Sequence, residues 1–448
     1  MVPDMNKTSD FYNLGIAPNI LGILDKLGFK TPTPIQEKSI PPAIEGKDLI
    51  GIAQTGTGKT LAFGIPMIQA VIHNGRGFIV LPTRELALQV ADVLEKIGGS
   101  LRLRTATLIG GEPIYRQISM LKKDPHIIIG TPGRIIDHME QRTLSLSDIS
   151  ILVLDEADRM LDMGFAPQLN RILKVLPRNR QTMLFSATMP QDIVKIAQAH
   201  MKLPMRVEIA PSGTTASNVT HELFFVDRRD KPRLLEKILG EYRGSVLVFL
   251  RTKFGVKRIV SEIRALGYTC AEIHSNRSLA QRKQALEGFR NGKYRILFAT
   301  DIASRGIDVK GIELVLNYDL PEAPDDYVHR IGRTGRAGGV GHAISFATPD
   351  QKRDVYDIER LIRATLPLSK LPTLPPVHDI PASRENSSYP SNRSSRYNDR
   401  KKPTSYGSNR PRFNSSHATP SSGSRFSKPI SKYSRPNNRF GSSRRPNR

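Results

Sequence analysis

The chain has 448 residues, 38% hydrophobic and 24% charged, enough apolar material for two cores and an appendage. Its single cysteine, Cys270, excludes an intrachain disulfide and fits a reducing compartment. No stretch nears the roughly 20 apolar residues of a membrane span. The N-terminus lacks the basic-then-apolar run of a secretory signal, so a cytoplasmic protein with no membrane partner is expected.

The net charge of +25 is unevenly spread. Residues 381–448 hold 16 lysines and arginines against Glu385 and Asp399, leaving +11 on the 380 residues before them. Basic surface of this kind is the electrostatic footprint of a polyanion partner.

Short apolar runs recur along the chain, each followed by a turn and a helix-like stretch. The first half predicts strands in "LIGIA" (49–53), "FIVLPT" (78–83), "TATLIGG" (105–111), "HIIIGT" (126–131), "ILVLDEAD" (151–158) and "TMLFSAT" (182–188). Amphipathic segments such as Glu85–Ile97 and Pro190–His200 lie between them. Near-continuous apolar strands alternating with helices imply a parallel sheet covered on both faces. A polar interval, "APSGTTASNVT", breaks the pattern. It restarts with "LFFVD" (223–227), "VLVFL" (246–250), "CAEIH" (270–274), "ILFAT" (296–300), "LVLNYD" (314–319) and "HAISFAT" (342–348).

The expected organisation is therefore a first α/β domain over 1–209, a linker over 210–220 and a second α/β domain over 221–370. A Ser/Arg/Asn/Pro-rich tail follows over 371–448. It holds too little apolar residue to fold and is expected to be disordered.

"AQTGTGKT" follows the first apolar strand and precedes a helix pattern, the context in which a P-loop is credible. Ala53, Gln54, Thr55, Gly56, Thr57, Gly58, Lys59 and Thr60 would wrap phosphates with backbone amides and a helix N-terminus. Lys59 would neutralise the β/γ-phosphates and Thr60 would ligate Mg²⁺. The strand "ILVL" ends in Asp155, Glu156 and Asp158, and ligands in such sheets sit at the carboxyl ends of strands. Asp155 suits the Mg²⁺, and Glu156 the attacking water. These features describe a P-loop NTPase without saying what the nucleotide drives.

With "PTPIQ" (32–36), "PTRELA" (82–87), "TPGR" (131–134), "DEAD" (155–158), "SAT" (186–188), "ATDIASRGID" (299–308) and "HRIGRTGR" (329–336), the chain resembles the DEAD-box RNA helicases over roughly residues 10–365. The short basic tail and compact N-terminus are most similar to the bacterial RhlE-type branch. The resemblance implies two RecA-like domains, ATP as the nucleotide, and unwinding or remodelling of RNA driven by domain closure. It leaves open an ATP-gated RNA clamp or a DNA-acting helicase. The RNA served, and whether ribosome-assembly or RNA-decay proteins assist, is not implied.

Residue by residue, the resemblance assigns Gln36 to the adenine edge, whose donor and acceptor an amide matches. Phe29 would stack on the base, although alone it reads as core, and Phe11 would brace the motif. Ser186 and Thr188 resemble the segment coupling ATP state to strand separation, near Asp158, and they also suit a helix cap. Gly306 and Asp308 resemble contacts to ribose and phosphates. Thr83, Arg84, Gly111, Thr131, Arg134 and Thr300 resemble RNA contacts, of the types that grip phosphate and sugar without reading bases. Arg333 and Arg336 resemble arginine fingers crossing to the nucleotide, with His329 and Arg330 linking the domains. Two departures stand out. Ser275 and Leu279 replace a Gly and a Gln found in many members, while the matching arginine, Arg282, is kept.

In the tail, Tyr389, Tyr397, Tyr406, Phe413, Phe426, Tyr433 and Phe440 are spaced among arginines. Arginine attracts phosphates and aromatic faces stack on bases, so the tail is expected to tether RNA.

Overall fold

A computed structural model describes residues 10–377, except positions 55, 74, 210–218, 302–308, 310 and 336–339. Thr55, Gly306, Asp308, Arg336 and the basic tail thus lie outside the described residues. Two parallel sheets, each within an α/β domain, account for the alternation of apolar runs and helices.

The first sheet contains β1 (Leu49–Ile52), β2 (Arg76–Val80), β3 (Thr105–Leu108), β4 (Ile127–Gly130), β5 (Ile149–Leu154), β6 (Gln181–Ser186) and β7 (Met205–Glu208). Their order across the sheet is β3-β4-β2-β5-β6-β1-β7, and every pairing is parallel. Successive side chains of one strand point to opposite faces. Ile151 and Val153 accordingly join one apolar cluster, Leu152 and Leu154 the other. Because both faces are covered, the strand reads as unbroken apolar sequence rather than alternating.

The second sheet contains β8 (Val219–Phe225), β9 (Val246–Phe249), β10 (Cys270–Ile273), β11 (Ile296–Ala299), β12 (Leu314–Asn317) and β13 (Gly341–Ala347), in the order β10-β11-β9-β12-β13-β8. It too is wholly parallel. The predicted strands differ from these mainly at their ends. "TATLIGG" stops at Leu108, and "LFFVD" begins earlier, at Val219.

β7 was not foreseen. It is an edge strand in which only Val207 is buried, so its sequence carries no apolar run. Among the described residues no helix is long and apolar enough to cross a membrane.

Candidate active site and nucleic-acid interface

The sheet order distributes the motifs. β1, β5 and β6 deliver at their carboxyl ends the P-loop, the acidic turn and "SAT", while β2, β3 and β4 deliver Thr83–Arg84, Gly111 and Thr131–Arg134 on the other side of β5. One edge of the first domain thus divides into a half that carries the expected nucleotide residues and a half that carries the expected RNA contacts.

After β1 the chain turns through Gly56 (φ 86) and Gly58 (φ 93) into the helix Lys59–His73. Within the loop Thr57 Oγ1 donates to the Gln54 carbonyl at 2.8 Å, and Thr60 lies in the helix's first turn. The amide of Ala53 extends the sheet by donating to Ser186 O at 3.0 Å. Lys59 is buried, donates to Ala53 O at 3.1 Å and lies 3.8 Å from Asp155 Oδ1. Burial pushes the Asp155 carboxyl up to about 6, against the opposing pull of Lys59.

Gln36 is buried against this loop. Its Oε1 accepts from Thr33 N at 2.9 Å, closing the start of the helix Pro34–Ile44, and its Nε2 donates to Gly58 O at 2.9 Å. A side chain at Gly58 would overlap Gln36 Nε2 and lie 2.9 Å from Thr33 Oγ1. The motif expected to read adenine therefore also shapes the phosphate loop. Two of the amide's four hydrogen-bonding positions serve that purpose. Phe29 is 37% exposed, which corrects its stand-alone reading as core, whereas Phe11 is buried in the same apolar cluster as Ile35 and Ile40. Phe11 thus supports the motif from behind.

Glu156 and Asp158 follow β5 in a turn where Glu156 takes a left-handed conformation (φ 51) before the helix Ala157–Asp162. Asp158 Oδ2 accepts from Ala187 N (3.0 Å), Thr188 N (2.8 Å) and Thr188 Oγ1 (2.9 Å), and Ser186 Oγ accepts from Asp158 N at 3.2 Å. The "SAT" residues are thus bound to the acidic turn. The helix-cap alternative does not hold, because the helix Gln191–His200 has Pro190 as its N-cap and no side-chain cap.

On the other half, Thr83 Oγ1 caps the helix Arg84–Gly98 by accepting from Leu86 N. The Arg84 guanidinium rests on Gly110 and Gly111, the latter at φ 81. Arg134 Nη1 donates to Glu112 O at 3.0 Å and its Nε is 3.2 Å from Asp137 Oδ2. Thr131 precedes the helix Pro132–Glu140. These side chains build caps and turns at the same strand ends that would face a phosphate chain.

From the second domain, Thr300 follows β11 directly and donates through its amide to Ile273 O at 3.3 Å. His329 and Arg330 end the helix Pro324–Ile331, and Arg333 follows, its Nε donating to His329 O at 3.2 Å. His329 Nδ1 accepts from Arg159 Nε at 3.1 Å, and Arg159 Nη1 donates to Glu156 Oε2 at 3.2 Å. The two domains therefore meet at the acidic turn.

Arg330, expected to link the domains, makes its bonds inside the second domain. Its guanidinium pairs with both oxygens of Asp301 (2.5 and 2.7 Å), donates to Asn317 Oδ1 and Asp319 O, and lies over the Phe249 ring. A buried guanidinium needs acceptors around its whole rim, and the second domain supplies them.

A second contact joins the domains away from the nucleotide. Arg282 Nη2 lies 2.9 Å from Glu85 Oε2, and Leu279 packs against the first domain's apolar cluster. The departure at Leu279 thus replaces a polar side chain with an apolar one at an inter-domain contact. Ser275 is exposed. Sequence reasoning missed Arg159 and Glu85 altogether. Arg159 follows "DEAD" directly, but nothing local names a partner 170 positions away.

Residues 33–196 match the DEAD/DEAH box helicase family model, and residues 230–338 match the helicase conserved C-terminal domain. DEAD-box ATP-dependent RNA helicase CshA of Geobacillus kaustophilus is 44% identical over 368 residues, 81% of this chain and 79% of that protein. ATP-dependent RNA helicase DbpA of Bacillus subtilis is 44% identical over 358 residues, 79% of this chain and 75% of that one. Among solved structures, S. cerevisiae Dbp5 bound to RNA and ADP BeF3 superposes with a TM-score of 0.73 at 29% identity, covering 82% of this chain and 96% of that one. Mss116p bound to ssRNA and AMP-PNP superposes with a TM-score of 0.76 at 26% identity, covering 83% and 81%.

Proposed function

The chain belongs to the DEAD-box family of ATP-dependent RNA helicases, and from that membership we propose how it couples ATP hydrolysis to RNA. It separates short duplexes, or remodels RNA–protein assemblies, by closing its two domains over one RNA strand. The observation that carries this reading is the convergence of Lys59 and Asp155 at 3.8 Å beside an acidic turn already bonded to "SAT" and to the second domain.

ATP and RNA each touch both domains, so each favours the joined state and each raises the other's affinity. Gln36 and Phe29 hold the adenine, the loop amides and Lys59 hold the phosphates, and Glu156 orients the attacking water. Thr60 and Asp155 are an oxygen donor pair of the kind Mg²⁺ takes together with substrate phosphates, and when bound the ion offsets charge on the transferred phosphoryl. Arg333 and Arg336 add positive charge there from the second domain, worth roughly 10³–10⁵ in rate for such a finger. Closure bends one RNA strand along Thr83, Arg84, Gly111, Thr131, Arg134 and Thr300 in a path that a duplex cannot follow.

The expected domain bounds at 209, 220 and 370 and the basic tail as an RNA tether belong to this reading, as does a place in the cytoplasm. The RhlE-type branch finds no support in the relatives named above, which are called CshA and DbpA; a role with ribosome-assembly or RNA-decay proteins rests on the family alone.

The test is ATPase activity with and without RNA, with Glu156→Gln alongside. RNA should stimulate hydrolysis, DNA should not, and the variant should lose most of the rate. Wild-type hydrolysis by Glu156→Gln would remove the water-orienting role. Stimulation without separation of short duplexes under turnover would favour a clamp.

A further inference from the structure

Arg159 is 1% exposed and lies one helical turn after Glu156. It is the middle of a chain of contacts that crosses the domains. Nη1 holds Glu156 Oε2 at 3.2 Å, Nε holds His329 Nδ1 at 3.1 Å, and His329 O in turn holds Arg333 Nε at 3.2 Å. Since Arg159 donates to Nδ1, the His329 ring is in the tautomer that carries its proton on Nε2.

The backbone of Glu156 is set by the left-handed turn after β5. What remains adjustable is the direction of its carboxylate, and Arg159 Nη1 bonds one of its oxygens. An arginine side chain is itself long and rotatable, so it can fix a neighbour only when its own far end is fixed. Here the second bond, to His329, supplies that restraint, and it comes from the other domain. The planar fork of the guanidinium lets one side chain serve both partners, whereas a lysine ammonium offers a single point.

We propose that Arg159 is a positioning residue that makes the aim of Glu156 depend on contact with the second domain. With the domains apart, the guanidinium loses its anchor on His329 and restrains the carboxylate less. With them joined, Glu156 is held where it can orient the attacking water. RNA thus controls hydrolysis from inside the first domain, in addition to any arginine delivered from the second. The proposal rests on Glu156 as the water-orienting residue and assigns its control to a side chain outside the motifs that carried the family resemblance.

The test uses the full chain and steady-state ATPase at saturating RNA. Arg159→Ala should lower kcat by roughly 10–100-fold while the KM for ATP stays within about three-fold, the pattern of an interaction that matters in the transition state. His329→Ala should lower kcat similarly. The double variant should be no slower than the worse single one, because residues acting as one unit are not additive. If Arg159→Ala does not fold, Arg159→Lys keeps the charge and the packed stem but cannot span both partners, and it should show the same loss of kcat.

Multiplying losses in the double variant would overturn the proposal, as would a raised KM with kcat unchanged. If wild-type ATPase ignores RNA, or Glu156→Gln hydrolyses normally, the functional reading fails first. If both behave as expected and the Arg159 variants hydrolyse like wild type, only this proposal falls.

Discussion

Gly58→Ala tests whether the buried amide of Gln36 shapes the phosphate loop. Gly58 sits at φ +93, where a residue with a side chain costs about 1–2 kcal/mol. The added methyl would also overlap Gln36 Nε2 and lie 2.9 Å from Thr33 Oγ1. Gln36 is only 3% exposed. It can move aside only by giving up its bonds to Thr33 N and Gly58 O, about 0.5–1.5 kcal/mol each. The expected total is roughly 2–5 kcal/mol, which lowers the melting of the first domain by on the order of 10 °C.

Thermal melts followed by circular dichroism measure this directly, and a cycle with Gln36→Ala separates the causes. Without the amide only the 2.9 Å approach to Thr33 Oγ1 remains, so Gly58→Ala should then cost little beyond the backbone share of about 1–2 kcal/mol. The two changes should be coupled by about 1–3 kcal/mol. Equal destabilisation in both backgrounds would refute the reasoning, as would a melting temperature matching wild type in Gly58→Ala.

Arg330→Ala removes a buried guanidinium that bonds Asp301, Asn317 Oδ1 and Asp319 O, so urea unfolding of the second domain should shift by about 1.5–3 kcal/mol. A fully stable variant that nonetheless lost hydrolysis would support a role for Arg330 in linking the domains. Deleting residues 381–448 should weaken RNA binding and flatten its dependence on salt, since fewer phosphate contacts release fewer counterions. Unchanged RNA affinity would leave the tail a passive solubilising segment.

Strands buried on both faces betray themselves in sequence, and most of the predicted runs, which fall on β1 to β6 and β8 to β13, are of that kind; the edge strands β3 and β8 are only partly buried. Phosphate chemistry constrains residue type just as tightly, which made "AQTGTGKT" and the acidic turn legible before any fold was known. β7 escaped because an exposed edge strand needs no apolar run. Phe29 read as core because an aromatic side chain usually is buried, yet nothing in its neighbourhood covers it fully.

The charged residues mark the boundary most clearly. The sequence by itself determined the two-domain α/β alternation and the place of the Gly-rich loop and the acidic turn at the ends of β1 and β5. Only the tertiary structure decided that Arg330 is satisfied inside its own domain while Arg159 reaches His329 in the other, and that Leu279 and Arg282 meet the first domain. A buried charge must be met by acceptors wherever the sheet order brings them. That pairing is settled by distance in space, and positions 170 residues apart carry no local sign of it.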